Sequence, residues 1–162
     1  MRTAAERAFI RAGRKREALY ADGLFALYPR EYAHRISRID GACSMVFDIV
    51  EMSSGKVAGE IALRIGEGPG LFYLGHIGYH IDPPFRGQNG ALHACRMVLP
   101  LLADMDMRSF VITTDDDNWA SIRTCEKLGC SLEATVNVPL WCQAEFSISS
   151  RKRRYVFEIP AA

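Results

Sequence analysis

Between residues 71 and 130 the chain alternates strand-like and helix-like stretches, and each helical stretch is entered through small or amide residues. LFYLGHIGYHI at 71–81 reads as one long strand with Gly75 and Gly78 inside it, and interior glycines point to a bulge or a close approach by something else. PPFRGQNGA at 83–91 follows. It opens a run in which Leu92, Cys95, Val98, Leu99, Leu102 and Met105 recur at helical spacing, with Pro100 expected to kink the helix. SFVITT at 109–114 is a short buried-type strand. Three aspartates then lead to a helix over 118–128 that Gly129 ends as a C-cap. Strands connected through helices in this way require a layered α/β arrangement.

The flanks extend the pattern. Residues 3–20 are rich in Ala, Arg, Glu and Leu and read as helix, broken by Asp22-Gly23 and Pro29. A second short helix is expected over 31–39, so that residues 1–40 form a helical N-terminal part. MVFDIVEM at 45–52 and VAGEIALRI at 57–65 read as two strands joined by the tight turn 53–56. Residues 130–138 and 154–159 read as strands, and 141–149 as another strand or a loop. The order predicts an α/β (α+β) fold with a mixed, mainly antiparallel sheet, helices on both faces and a central β-α-β unit. At 162 residues with no repeat or internal linker, the chain is expected to form one domain over 1–162.

Composition excludes more than it selects. With 20 Lys and Arg against 19 Asp and Glu, the net charge of +1 gives no general pull toward nucleic acid. Two local basic runs, Arg11–Arg16 and Arg151–Arg154, read first as solvated faces, with salt-sensitive RNA binding as the competing reading. No apolar stretch approaches the ~20 residues of a membrane span. Five cysteines (Cys43, Cys95, Cys125, Cys130, Cys142) and no apolar signal segment predict a cytoplasmic protein with free thiols. Their spacing is not that of a zinc site, and no metal is expected.

Arg86-Gly87-Gln88-Asn89-Gly90-Ala91 has two readings. It is an ordinary capped turn, or it is an anion site in which unpaired N–H groups and the positive end of the helix dipole meet a phosphate. No Gly-Lys-Ser/Thr follows, so it is not a Walker loop, and it is not G-x-G-x-x-G.

The second helix narrows the choice. Together, Arg86, Gly87 and Ala91 and the stretch NWASIRTCEKLGC at 118–130 resemble motifs A and B of the GNAT superfamily of acetyl-CoA-dependent N-acetyltransferases. Asn118, Ala120, Ser121, Glu126, Lys127, Leu128 and Gly129 carry the second motif. GHIGYHIDP at 75–83, LPLLADM at 99–105 and RRYVFEI are similar to a branch near the ribosomal-protein N-terminal acetyltransferases. The resemblance spans about residues 57–159. It departs at Asn89, where glycine is usual, although Asn tolerates a positive φ better than other side chains.

The resemblance implies a layout. Backbone groups of Tyr79, His80 and Ile81 would pair with the pantetheine arm and polarise the thioester. Arg86, Gly87, Gln88, Asn89, Gly90 and Ala91 would hold the pyrophosphate. The acceptor would be an amine, on a protein N-terminus or a small molecule, that attacks the acetyl carbon directly. Asn118 is either a cofactor ligand, a helix N-cap, or both. For the donor to the departing thiolate, Ser121 is preferred over Cys125 because a hydroxyl donates better, though Ser121 could instead bond its own helix. His76, His80 and Glu60 are the candidate bases, each with an ordinary structural alternative. Arg123 and Lys127 are first of all solvated charges that could reach cofactor phosphates. The alternative function is a non-catalytic CoA-binding sensor. The acceptor's identity is not readable, and a homodimer is left open.

Overall fold

The computed structural model describes residues 1–36 and 41–161. The chain runs α1 (Ala4–Lys15), β1 (Tyr20–Ala21), β2 (Phe25–Ile36), β3 (Ala42–Glu51), β4 (Lys56–Ile65), α2 (Pro69–Leu74), β5 (Ile77–Ile81), α3 (Gly90–Met97), α4 (Leu99–Asp104), β6 (Ser109–Thr114), α5 (Trp119–Leu128), β7 (Ser131–Asn137), α6 (Leu140–Phe146) and β8 (Arg151–Glu158). A single 3-10 turn, Pro83–Phe85, joins β5 to α3.

The strands form two antiparallel sheets, one ordered β1-β2-β3-β4-β5 and the other β6-β8-β7. The expected α/β fold of mainly antiparallel strands and helices is present, with the strands divided between two sheets because β5 and β6 touch without forming a ladder. On the first sheet, Met45, Phe47 and Ile49 of β3 are wholly buried, as are Ile61 and Leu63 of β4, while Ser44, Asp48 and Val50 on the alternate positions are only partly buried and Val46 is covered from the other side. That period of two directs one face into the core. Phe9 of α1 packs edge-on against Phe47, with ring centroids 4.9 Å apart, and Leu92 and Cys95 of α3 join the same core. On the other face Ala42, Leu71, Leu74 and Phe146 form a smaller cluster that seats α2 and α6, so helices do lie on both faces.

Four local expectations are overturned. The helix predicted over 31–39 is strand as far as Ile36, and residues 37–39 lie outside the described residues. Pro29 sits at a register shift in β2, where a missing N–H is tolerated. The N-terminal part is thus one helix and two strands. The long strand expected over 71–81 begins as α2, with Pro69 in its first turn and Gly75 (φ 83°) ending it. Residues 140–146 form α6, neither strand nor loop. Pro100 does interrupt the helix as expected. The chain stops at Met97 and restarts at Leu99, so the proline falls in a first turn, where no hydrogen bond is lost. Gly78 answers the close-approach reading, because a Cβ there would lie 2.6 Å from the Arg64 guanidinium.

Candidate functional site

β5 and β6 are held together at one point. The His76 N–H donates to the Val111 carbonyl at 2.8 Å, and the Val111 N–H donates back to His76 Nδ1 at 2.9 Å. Beyond that contact a cleft of about 520 Å³ opens, lined by β5, the turn before α3 and the first turns of α5.

The ladder dictates which backbone groups face the cleft. Arg64 N donates to His76 O at 2.7 Å and Asp82 N to Ala58 O at 2.8 Å, so the even-numbered residues of β5 bond to β4. Alternation then turns the N–H and C=O of Tyr79 and Ile81 to the open edge. Arg86 Nε takes the Ile81 carbonyl at 2.9 Å. The remaining edge groups of Tyr79 and the Ile81 N–H are free to receive an extended, amide-bearing ligand.

At the turn, Gly87 (φ 90°) and Asn89 (φ 58°, ψ 34°) both adopt positive φ. Asn89 does reach the left-handed region, and from there its side chain cannot cap α3, which begins with no side-chain cap. The N–H groups of that first turn therefore point into the cleft with the helix dipole behind them. Gly90 is buried, and a Cβ there would come within 3.2 Å of Ile81 Cδ1. Arg86, Arg123 and Lys127 line the cleft, and among the described residues no carboxylate does. Lys127 Nζ donates to Asn89 Oδ1 at 2.9 Å. A pocket with uncapped amides, three cations and no anion suits a polyphosphate.

Asn118 caps α5, its Oδ1 accepting from Ser121 N at 3.2 Å, and it also lines the cleft. Ser121 is 8% exposed and borders the same space, with its Oγ 2.7 Å from the Tyr79 hydroxyl. Burial raises the Tyr79 pKa well above the ordinary phenol range.

Of the residues singled out in the sequence, Tyr79, His80, Ile81, Arg86, Gly87, Asn89, Gly90, Ala91, Asn118 and Ser121 come together around the cleft. Gln88 does not, because its amide reaches Glu51 Oε2 at 2.7 Å instead. Cys125 is fully buried in the core, where a hydrogen bond with Cys130 and then burial raise its pKa, so it can neither ionise nor touch a ligand in the cleft. His76 Nδ1 already accepts the Val111 N–H and burial lowers its pKa, which leaves no lone pair for a substrate proton. Glu60 lies on the outer face of the sheet, ion-paired with Arg30 at 3.5 Å and directly across from His80. The His80 ring is on that same outer face, 3.2 Å from Asp82. The basic run at 151–154 is consumed by ion pairs: Arg151 and Arg153 with Asp116, Lys152 with Asp115, Arg154 with Glu133. Sequence reasoning missed the Tyr79 hydroxyl and Thr124, while Ala120, named there only as part of the second motif, also lines the cleft. For Tyr79 the available signal was its odd number, which puts it on the same face as the core residues Ile77 and Ile81.

A strand edge with open amides, splayed from its neighbour beside an uncapped helix start, is a cleft suited to an extended, amide-bearing ligand that ends in a polyphosphate. The chain belongs to the acetyltransferase (GNAT) domain family, which it matches over residues 14–131. No curated protein matches it. Among solved structures it is similar to the microcin C7 self-immunity acetyltransferase MccE, solved with acetyl-CoA and AMP, at 21% identity over 72% of this chain and 61% of that one (TM-score 0.55). It is also similar to the ribosomal L7/L12 α-N-protein acetyltransferase RimL, at 24% identity over 74% of this chain and 72% of that one (TM-score 0.55). A third is the ribosomal-protein-S5-alanine acetyltransferase of Vibrio fischeri, at 15% identity over 72% and 62% (TM-score 0.56). The likeness is one of fold, and the chain spans about three-fifths of the length of the first and third. Among the described residues no helix is long and apolar enough to cross a membrane, and no group of His, Cys, Asp and Glu is placed to hold a metal.

Proposed function

We propose that the protein is an acetyl-CoA-dependent N-acetyltransferase that moves an acetyl group directly onto an amine, with 1–162 acting as one domain. The observation that carries this reading is the cleft itself, where an uncapped α3 start and three cations lie at one end and the open edge of β5 at the other. In the family, acetyl-CoA supplies the activated acetyl thioester. In this chain the α3 amides, Arg86, Arg123 and Lys127 bind its phosphates. Tyr79 and Ile81 offer backbone groups to its pantetheine arm, and a free N–H on that edge is placed to polarise a thioester carbonyl as an oxyanion hole does. Ser121 is the polar side chain at the foot of the cleft, in position to donate to the departing sulfur. Among the described residues no carboxylate lines the cleft and the His80 ring faces away, so an incoming ammonium gives its proton to water. Two of the structural relatives act on ribosomal proteins by name, which makes peptide N-termini the first acceptors to try.

Isothermal titration with acetyl-CoA, wild type beside Gly90→Glu, tests the binding half. Thiol release over a panel of peptide N-termini and small amines tests the transfer. Failure of the folded wild type to bind any acyl-CoA defeats the reading. The missing base favours one alternative, a CoA-binding module without turnover, which predicts tight binding and no thiol release with any amine.

A further inference from the structure

We propose that the Tyr79 side chain is a positioning residue for transfer: its phenol donates to Ser121 Oγ and so turns the serine's own O–H into the cleft, toward the sulfur of the departing thiol. The inference rests on the acetyl-CoA reading and adds a residue that neither motif A nor motif B contains.

The geometry is specific. Tyr79 lies on β5 and Ser121 on α5, and their oxygens are 2.7 Å apart. The Tyr79 hydroxyl is also 3.5 Å from the Ser121 carbonyl, at the limit of a hydrogen bond, so Oγ is the better partner. Either hydroxyl can donate across this contact; the donation is assigned to Tyr79, the more acidic O–H, with Ser121 accepting. Among the described residues Ser121 Oγ has no other partner, so its proton is left for whatever fills the cleft. The Ser121 backbone is anchored at the start of α5, where its N–H donates to Asn118 Oδ1 at 3.2 Å. Behind the phenol sits Cys125, fully buried. Burial raises the pKa of the phenol, so it stays protonated and remains a donor.

The ledger of the step is simple. The amine nitrogen forms a bond to the acetyl carbon, the carbon–sulfur bond breaks, and the electron pair leaves on sulfur. The amine's proton goes to water. Ser121 holds the sulfur anion with a hydrogen bond and keeps its own proton, and the anion is later protonated by solvent. Donation from Tyr79 strengthens the Ser121 bond because hydrogen bonds in a chain polarise one another.

The test reads the sulfur directly and needs no acceptor. The thiol of bound CoA is titrated by its ultraviolet thiolate absorbance, with bound desulfo-CoA as the reference, in wild type, Tyr79→Phe, Ser121→Ala and the double variant. In the wild type the bound thiol should titrate below that of free CoA. Each single variant should raise it, and the double should do no more than Ser121→Ala, since Tyr79 acts only through Ser121. With an accepted amine, kcat in Tyr79→Phe should fall about 10-fold, the scale of one hydrogen bond to a charged atom, with KM for acetyl-CoA unchanged. Phe keeps the ring packing, and a melting curve checks it. An unmoved thiol titration in Tyr79→Phe, or additive losses in the double, overturns the proposal while leaving acetyl-CoA binding intact. Absence of CoA binding in wild-type calorimetry would instead defeat the cofactor reading and this inference with it.

Discussion

Two helix starts in this protein solve the same problem in opposite ways. At α1 the orphan amides are met from within. Thr3 Oγ1 accepts from Glu6 N at 3.1 Å, and Glu6 Oε2 accepts from Thr3 N at 2.6 Å, a closed capping box. Glu6 is only 3% exposed, and its other oxygen takes the Tyr32 hydroxyl at 2.9 Å. At α3 nothing closes the end: Asn89 has turned to positive φ, its side chain is held by Lys127, and no side chain caps the helix. α5 falls between them, capped by Asn118 yet facing the same cleft. The α1 start spends its polar groups on stability, whereas the α3 start keeps them for a ligand. Changes at one end should therefore move stability and changes at the other should move binding.

The largest effect belongs to Gly90→Glu. It sets a carboxylate where a diphosphate is expected, and a juxtaposed like charge costs several kcal/mol. Acetyl-CoA affinity should drop by about 100-fold or more in calorimetry, with a cooperative melt retained. A variant that binds as well as wild type would remove the turn from the site.

The α1 end should behave in the reverse sense. Burial alone would raise the Glu6 carboxyl, but hydrogen bonds from the Thr3 amide, the Tyr32 hydroxyl and Cys43 outweigh it and hold the group below its ordinary 4.5. The sign follows. Its stabilisation is fully present above pH 4.5 and disappears as pH falls through the lowered folded value. Glu6→Gln should cost about 2 kcal/mol at neutral pH, the scale of hydrogen bonds to a charged group, and should flatten the acid limb of stability. Urea melts across pH check both, and acetyl-CoA affinity should not move. Thr3→Ala should cost about 1 kcal/mol, as lost caps do, lowering the melting temperature by roughly 2–4 °C, again without touching binding.

This contrast also explains what could be read in advance. The α3 turn was legible because backbone conformation and charge carry it: Gly87, Asn89 and Gly90 declare positive φ and close approach, and Arg86 declares an anion. The β3–β4 hairpin and α5, closed by Gly129 at φ 99°, were legible for the same local reasons. Elements that depend on distant partners were not. β2 reads as loop and helix until its pairing with β3 is seen, because Pro29 and the charged residues after it hide a strand. α2 hides in an aromatic run that local propensity assigns to a strand, and Arg64 and Thr113 hold the Leu74 carbonyl at its end from elsewhere in the chain. At the site, Tyr79 and Ser121 are 42 positions apart, and only the packing of α5 against β5 joins them. Cys125 and Ser121 occupy one helix, yet a single turn sends one into the core and leaves the other at the cleft.

Lys127 gives the smallest and most diagnostic effect. It is exposed and bound to Asn89, so its structural loss should be negligible. If it also meets a phosphate, Lys127→Ala should weaken acetyl-CoA several-fold at low salt, about 1 kcal/mol at most for an exposed charge. The deficit should shrink as salt rises, because screening removes what the lysine contributed. Asn89→Gly separates the two partners. Glycine accepts the same positive φ and releases the ammonium, so affinity should hold or improve slightly in calorimetry. A loss with Asn89→Gly equal to that with Lys127→Ala would show instead that the amide aims the lysine at the ligand.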